Sequence, residues 1–357
     1  MMRILIIISS LLLFTSCSQQ TETKSQSNSS SDQIKSYKEV VCFVYHRFGD
    51  SRFSSTNISV EDFKTHLAWL ANHEYQVLNL SEAINYLSNN DPVKKTAVIT
   101  IDDGYKSFFK NGLPLLHQYQ FPATLFINTE TVGAGDYMNW EELKGAMNQK
   151  IEIGNHTHTH DYFVDNEPSL RYTYFEDNIQ TAQQLIKDKL GIFPKVLAYP
   201  YGEFDQKMKV ITKGMGFVGA AAQNSGVMNN MTDTYQIPRF PMSEHYAKMF
   251  EEKVNMQALK VIRKIPEENL ITNDASKPLL TLTISTEELL MDQLQCFVQG
   301  GDCTLQIIDQ SADQVTLTLQ STQDLTSRRR TLYTLTVPDS TGNWHWFSHL
   351  WINNSVK

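Results

Sequence analysis

The sequence predicts an α/β protein in which a distorted (β/α) barrel of about seven units precedes a small all-β sandwich domain. Between residues 38 and 265, short apolar runs alternate with longer amphipathic segments. After residue 278, apolar and polar residues alternate with a period of two. No run in the first part is typical of an exposed edge strand, which favours a closed or distorted barrel over an open sheet.

Seven apolar runs are predicted as parallel strands of the barrel, and helices are predicted between them. The strands cover residues 40–45, 76–79, 97–101, 123–128, 151–153, 196–199 and 217–220. Helices are expected after Ser59, which is typical of an N-cap, after Ser81, and over 107–119, 140–149, 169–190 and 205–213.

The C-terminal part has the pattern of a separate domain. Residues 266–278 are predicted as a linker and residues 279–357 as the β-sandwich. Near its end lie Trp344, Trp346 and Trp351, for which two roles are open. Exposed tryptophans suit stacking on sugar rings, but a sandwich this small needs large core side chains, so packing is favoured.

The N-terminal part is expected to lie outside the fold. Residues 1–17 combine a positive start, an apolar run too short to span a bilayer, and a cysteine. They resemble the signal segment of bacterial lipoproteins, which implies acylation of Cys17; an ordinary cleaved signal is the alternative. Residues 18–37 are predicted as a flexible tether. We therefore expect a lipid-anchored protein of the cell envelope, at the periplasmic face of the outer membrane or the cell surface if the cell is Gram-negative.

Composition narrows the class of partner. The hydrophobic share of 41% and the charged share of 20% are ordinary for a globular protein. The net charge of −8 argues against nucleic acid or an anionic membrane surface as the main partner. Cys42 is expected to be an inert core thiol, and the sequence leaves open whether Cys296 and Cys303 form a disulfide.

Polar residues follow several predicted strands. Asp102 and Asp103 follow the strand over 97–101, three histidines follow 151–153, Tyr201 follows 196–199, and His46 follows the first strand. Each alone has an ordinary explanation as a turn or a satisfied polar residue. Because the carboxyl ends of barrel strands share one rim, their coincidence predicts an active site there.

The histidines of G-N-H-T-H-T-H-D-Y (154–162) do not all suit one metal ion. In an extended chain, His156 and His160 would lie about 13 Å apart at roughly 3.3 Å per residue, too far to share an ion. In a helical turn, residues i and i+4 become neighbours at about 5–6 Å, and i+2 faces away. We therefore predict His156 and His160 as ligands and exclude His158.

Three motifs carry a resemblance to a known family. T-I-D-D-G (100–104), N-H-T-H-T-H (155–160) and A-Y-P-Y-G (198–202) resemble the ordered motifs of the polysaccharide deacetylases, carbohydrate esterase family 4. Their NodB-homology domain is a distorted (β/α) barrel, and the resemblance covers residues 40–240. It implies a divalent ion, most often Zn²⁺ with Co²⁺ or Ni²⁺ as alternatives, and the following residue roles: Asp103, His156 and His160 as metal ligands, Asp102 as general base, Thr157 as the small hydroxyl residue of the motif, and the backbone N–H of Tyr201 as oxyanion donor.

Two features depart from the family pattern. Ala198 stands where many members carry an arginine that pairs with the base, and the usual late Leu-x-x-His, which supplies the general acid, is not evident. Arg239 is the predicted substitute for the arginine, as in members resembling the poly-N-acetylglucosamine deacetylases; a surface salt bridge is the alternative. For the general acid, His46 is the first replacement and His245 the second.

The resemblance implies metal-dependent hydrolysis of N-acetyl groups on amino sugars of a cell-surface or exported polysaccharide. Hydrolysis of O-acetyl esters is the nearest alternative, because such a site recognises the acetyl carbonyl more than its leaving group. A non-catalytic, carbohydrate-binding lipoprotein on the same scaffold is the alternative from another class.

Overall fold

The structure is a computed structural model that describes residues 37–271 and 276–357. They lie in one compact unit, Ser36–Lys357. The predicted signal segment with Cys17, residues 18–36 of the predicted tether, and residues 272–275 of the predicted linker lie outside the described residues. Within the two described ranges, no helix has the length and apolar character needed to cross a membrane.

The first part of the chain forms strands and helices in alternation. Its strands are β1 (Glu39–Tyr45), β2 (Arg47–Phe48), β3 (Asn57–Ile58), β4 (Gln76–Leu78), β5 (Thr96–Ile101), β6 (Ala123–Ile127), β7 (Ile151–Asn155), β8 (Val196–Ala198), β9 (Gly219–Ala221), β10 (Val227–Asn229) and β11 (Phe240–Pro241). Its helices are α1 (Val60–Asn72), α2 (Leu80–Ser88), α3 (Leu113–Tyr119), α4 (Trp140–Met147), α5 (Pro168–Leu190), α6 (Gln206–Gly214) and α7 (Phe250–Val254).

One curled sheet organises these elements. Its strand order is β10-β1-β5-β6-β7-β8-β9, with β4 beside β5 and β11 beside β1. Neighbours are parallel except β10, which runs antiparallel to β1. Every residue of β5 and β6 is buried, as expected for parallel strands covered on both faces. This sheet with its helices confirms the predicted distorted (β/α) barrel.

Local signals explain where the helices begin and end. Ser59 accepts a hydrogen bond from the N–H of Asp62 at the start of α1, as its N-cap role predicts. At the other end of a helix, Gly191 adopts φ +78° after α5, a left-handed conformation that glycine takes without strain. The predicted helix over 107–119 instead begins as a π-helical segment, Phe108–Gly112. The α-helix α3 follows, and its second residue is Pro114, which lacks an N–H.

The C-terminal part forms two four-stranded sheets. Their strands are β12 (Gln257–Ala258), β13 (Val261–Ile265), β14 (Leu279–Ser285), β15 (Gln295–Val298), β16 (Cys303–Gln310), β17 (Gln314–Ser321), β18 (Arg330–Pro338) and β19 (Trp344–Ile352). The orders are β12-β19-β18-β15 and β13-β14-β17-β16. Apolar residues from both sheets share one core, which agrees with the predicted sandwich. Two of the strands, β12 and β13, precede the predicted linker.

The tryptophans pack rather than form a platform. Trp351 is buried in the core of the sandwich, and Trp344 and Trp346 pack against the core of the barrel. The indole N–H of Trp346 also donates to the Oγ of Ser225 at 3.0 Å. Cys296 and Cys303 are disulfide-bonded, and Cys42 is a buried free thiol.

Candidate active site

Three acidic and imidazole side chains converge where β5 and β7 end. The Nε2 atoms of His156 and His160 lie 3.1 Å apart, and the Oδ1 atom of Asp103 lies 3.5 Å from each. The Nδ1 of His156 donates to the carbonyl of Ala198 at 2.8 Å, which leaves the Nε2 lone pair directed at the cluster. Two imidazoles and one carboxylate at these distances form a donor set that could hold a divalent metal ion.

The histidine segment reaches this geometry without forming a helix. Left-handed conformations at Thr157 (φ +67°) and His160 (φ +58°) bend the chain back on itself. Asn155 accepts from the N–H of Thr157 at 2.7 Å, and the Oγ1 of Thr157 accepts from the N–H of His160 at 3.1 Å. His158 points elsewhere, with its Nδ1 2.9 Å from the Oγ1 of Thr129. The pair of residues i and i+4 therefore meets through two side-chain-stabilised turns.

Electrostatics of the cluster favour a bound cation. Burial by itself raises the pKa of Asp103, but the hydrogen bond from His156 and the neighbouring histidines hold that pKa well below its usual range. Burial, helped by the charge of His156, lowers the pKa of His160 to about 4. Burial also opposes protonation of His156, yet its contact with Asp103 raises its pKa overall. The ionised carboxylate of Asp103 and the neutral imidazole of His160 are in the state in which such residues bind metal, whereas His156 would release a proton on binding it.

Asp102 forms a completely buried ion pair with Arg239. The guanidinium Nη1 and Nη2 atoms lie 2.7 Å and 2.9 Å from the two carboxylate oxygens, and both side chains are 0% exposed. Arg239 also donates hydrogen bonds to the carbonyl of Ala222 and to the Oγ1 of Thr100. Burial raises the pKa of Asp102, but the charge of Arg239 outweighs it and lowers that pKa. Arg239 thus occupies the interior of the barrel beside Asp102, not the surface.

The two histidines predicted as general acids lie in different environments. His46 follows β1, is half-buried, and is an electrostatic neighbour of both Asp102 and Asp103. His245 is exposed in the turn that follows β11. The structure therefore brings His46 to the rim that carries the cluster.

Tyr201 lies on the rim within a stack of aromatic rings. It adopts φ +58° directly after Pro200, and its ring meets the ring of His160 edge-on at 4.6 Å. Tyr162 stacks on Tyr201 with a centroid separation of 3.7 Å and an interplanar angle of 5°. Sequence reasoning missed Tyr162; its place two residues after His160 was the available signal, but nothing local pairs it with residue 201.

Parts of this chain are similar to known proteins. Residues 89–220 match the polysaccharide deacetylase family. A poly-β-1,6-N-acetyl-D-glucosamine N-deacetylase of Staphylococcus epidermidis is 26% identical over 271 residues, which are 67% of this chain and 92% of that protein. One of Staphylococcus aureus is 29% identical over 225 residues, which are 58% of this chain and 77% of that protein.

Solved structures share the fold. The deacetylase PplD of Streptococcus pyogenes, in complex with acetate, aligns with a TM-score of 0.56 at 17% identity, covering 61% of this chain and 99% of that chain. IcaB from Ammonifex degensii aligns with a TM-score of 0.54 at 24% identity, covering 61% of this chain and 97% of that chain. From its barrel, its motifs and its relatives, the part of the chain over residues 89–220 is a polysaccharide deacetylase domain.

Proposed function

We propose that this protein is a metal-dependent hydrolase that removes N-acetyl groups from amino sugars of an exported or cell-surface polysaccharide. The observation that carries the proposal is that the cluster of possible metal ligands lies next to the buried ion pair of Asp102 and Arg239. The cluster of Asp103, His156 and His160 could hold a divalent ion, and the residue that directly precedes Asp103, Asp102, is a carboxylate kept ionised by Arg239. The relatives named as poly-β-1,6-N-acetyl-D-glucosamine N-deacetylases support an N-acetylglucosamine polymer as substrate.

Asp103, His156 and His160 would hold the ion, with Zn²⁺ proposed and Co²⁺ or Ni²⁺ as alternatives. The chemistry that such an ion supplies is Lewis acidity, which polarises a carbonyl and acidifies water. Two neutral imidazoles and one carboxylate leave further coordination positions open, as a catalytic site requires.

The remaining residues divide the proton transfers and the charge stabilisation. Asp102 accepts the proton of the attacking water as general base, and Arg239 keeps it ionised and oriented. The backbone N–H of Tyr201 stabilises the oxyanion of the tetrahedral intermediate, an effect typically worth about 10²–10³ in rate. His46 donates a proton to the leaving amine.

Release of acetate from a β-1,6-linked N-acetylglucosamine oligomer tests the proposal. We expect release by the metal-loaded protein, loss of release with a chelator, recovery on adding Zn²⁺, and at least a 10²-fold lower kcat for Asp102→Asn. Release from O-acetylated glycans alone would favour the esterase. Binding of the oligomer without release from any acetylated glycan, with metal bound, would favour the non-catalytic carbohydrate-binding role and refute hydrolysis.

A lipid-anchored location in the cell envelope is proposed from residues 1–17, with Cys17 as the acylated residue. Cell fractionation of the wild type and a Cys17→Ala variant tests it. Recovery of both proteins in the same soluble fraction would contradict the anchor.

A further inference from the structure

Two arginines of the C-terminal part reach the rim of the barrel. Arg329 immediately precedes β18, and Arg330 is its first residue. The guanidinium of Arg329 donates from Nε and Nη2 to the two carboxylate oxygens of Glu203, at 2.8 Å and 2.7 Å, and from Nη2 to Asp165 at 2.8 Å. Only 12% of the Arg329 side chain is exposed. One guanidinium thus joins two acidic residues from separate rim loops.

These two loops carry the aromatic residues of the site. Glu203 directly follows the turn Pro200–Gly202, which contains Tyr201, and Asp165 ends the turn Phe163–Asp165, which follows Tyr162. Arg329 lies over the ring of Tyr162, with its guanidinium carbon 4.1 Å from the ring centroid. Arg329 therefore contacts both loops at once.

Arg330 supports the same turn from the backbone side. Its Nη1 donates to the carbonyl of Tyr201 at 2.9 Å. Tyr201 in turn contacts the ring of His160. A continuous series of contacts therefore runs from the start of β18, through the stacked tyrosines, to one of the residues placed to bind metal.

The Tyr201 turn needs external support. A positive φ is uncommon for a residue with a Cβ atom, and such conformations persist where the surrounding structure holds them. Glu203 is almost fully buried, and burial raises its pKa against the opposing effect of Arg329. A planar, bidentate guanidinium constrains both distance and orientation of its partner, which a lysine ammonium does not.

We propose that Arg329, assisted by Arg330, is a positioning residue that holds the Tyr162–Tyr201 pair and with it the backbone of Tyr201 at the active site. The C-terminal sandwich is in this way part of the catalytic apparatus. The inference rests on the proposed function, because it assigns Arg329 an effect on the same reaction.

The first readout does not depend on activity. Hydrogen exchange is measured by mass spectrometry on the full chain for wild type, Arg329→Ala, Arg329→Lys and the control Arg328→Ala, which alters a neighbouring exposed arginine. We expect peptides covering residues 156–165 and 199–205 to exchange at least about 10-fold faster in both Arg329 variants. The control and peptides from β5 and β6 should be unchanged. Unaltered exchange of those peptides in Arg329→Lys would overturn the inference, even if Arg329→Ala fails to fold.

The second readout is the reaction itself, with metal content confirmed for every variant. We expect kcat of Arg329→Ala to fall about 10- to 100-fold, since small misplacements of catalytic groups have effects of this size, while KM stays within about twofold. Added methylguanidinium should restore part of the kcat of Arg329→Ala and leave Arg328→Ala unaffected. An unchanged kcat in Arg329→Ala, whether or not its KM rises, would refute the positioning role. An inactive wild type would refute the proposed function, and the exchange data would still decide the inference.

Discussion

Replacing Arg239 by methionine should destabilise the fold chiefly through Asp102. Methionine has a similar length, but it leaves the carboxylate of Asp102 buried without its cation. Removing one partner of a buried ion pair typically costs about 3–5 kcal/mol. The bonds from Arg239 to Ala222 and Thr100 are lost as well, so the single variant alone does not isolate the ion pair.

A double-mutant cycle with Asp102→Asn isolates it. Arg239→Met removes the hydrogen bonds to Ala222 and Thr100 both in the wild type and in Asp102→Asn, so their contributions cancel. The charge interaction between Arg239 and Asp102 is lost only when Arg239→Met is made in the wild type. We expect the double variant to be about 2–3 kcal/mol more stable than the sum of the two single effects. The free energy of unfolding is measured by urea titration with tryptophan fluorescence, because urea does not screen charges. A coupling energy below about 0.5 kcal/mol at neutral pH would refute the reasoning.

The pH dependence supplies a second check of the same prediction. In the wild type the pKa of Asp102 is lowered, so its stabilising contribution is present above the unfolded pKa of about 4 and is lost as the pH falls through the folded value. In Arg239→Met, burial raises the pKa of Asp102, because the positive charge of Arg239 that lowers it in the wild type is absent. The stability difference between the two proteins should therefore be largest at neutral pH and narrow as the pH falls. A difference that widens on acidification would contradict this assignment.

Two further predictions concern the histidines at the rim. His158→Ala should retain full metal content by elemental analysis, because its ring bonds Thr129, whereas His160→Ala should lose the ion; loss of metal from His158→Ala would contradict the ligand set. His46→Ala should keep its metal and lower kcat about 10²–10⁴-fold, the usual contribution of a positioned proton donor, whereas unchanged turnover alongside an inactive Asp102→Asn would exclude it as the general acid.

Much of the fold was predictable because its signals are local. The run predicted at 97–101 is β5 (Thr96–Ile101), and the helix predicted over 169–190 is α5 (Pro168–Leu190), which Gly191 ends. Apolar periodicity and caps act over a few residues, so the sequence displays them directly. By contrast, the partners of β12 and β13 in the C-terminal sheets depend on strand register between distant segments.

The site, like the fold, has features that the sequence predicts and features that it does not. The separation of His156 from His160 and the place of Asp103 after a strand pointed to the cluster that could hold a metal ion, because spacing and strand order constrain which side chains share a rim. The turn that joins the two histidines is not helical, since Asn155 and Thr157 stabilise left-handed conformations through their side chains. Such turns bring residues i and i+4 together as a helical turn would, but through a different backbone conformation.

The sequence by itself determined the chemistry available to this protein: which strands end in carboxylates and imidazoles, and which pair of histidines suits one ion. The tertiary structure decided which distant side chains support them. Arg239 meets Asp102 across 137 residues, and Arg329 meets Glu203 across 126. Periodicity and spacing describe one segment at a time, whereas an ion pair forms only where the folded path of the chain brings two segments together and excludes water from between them.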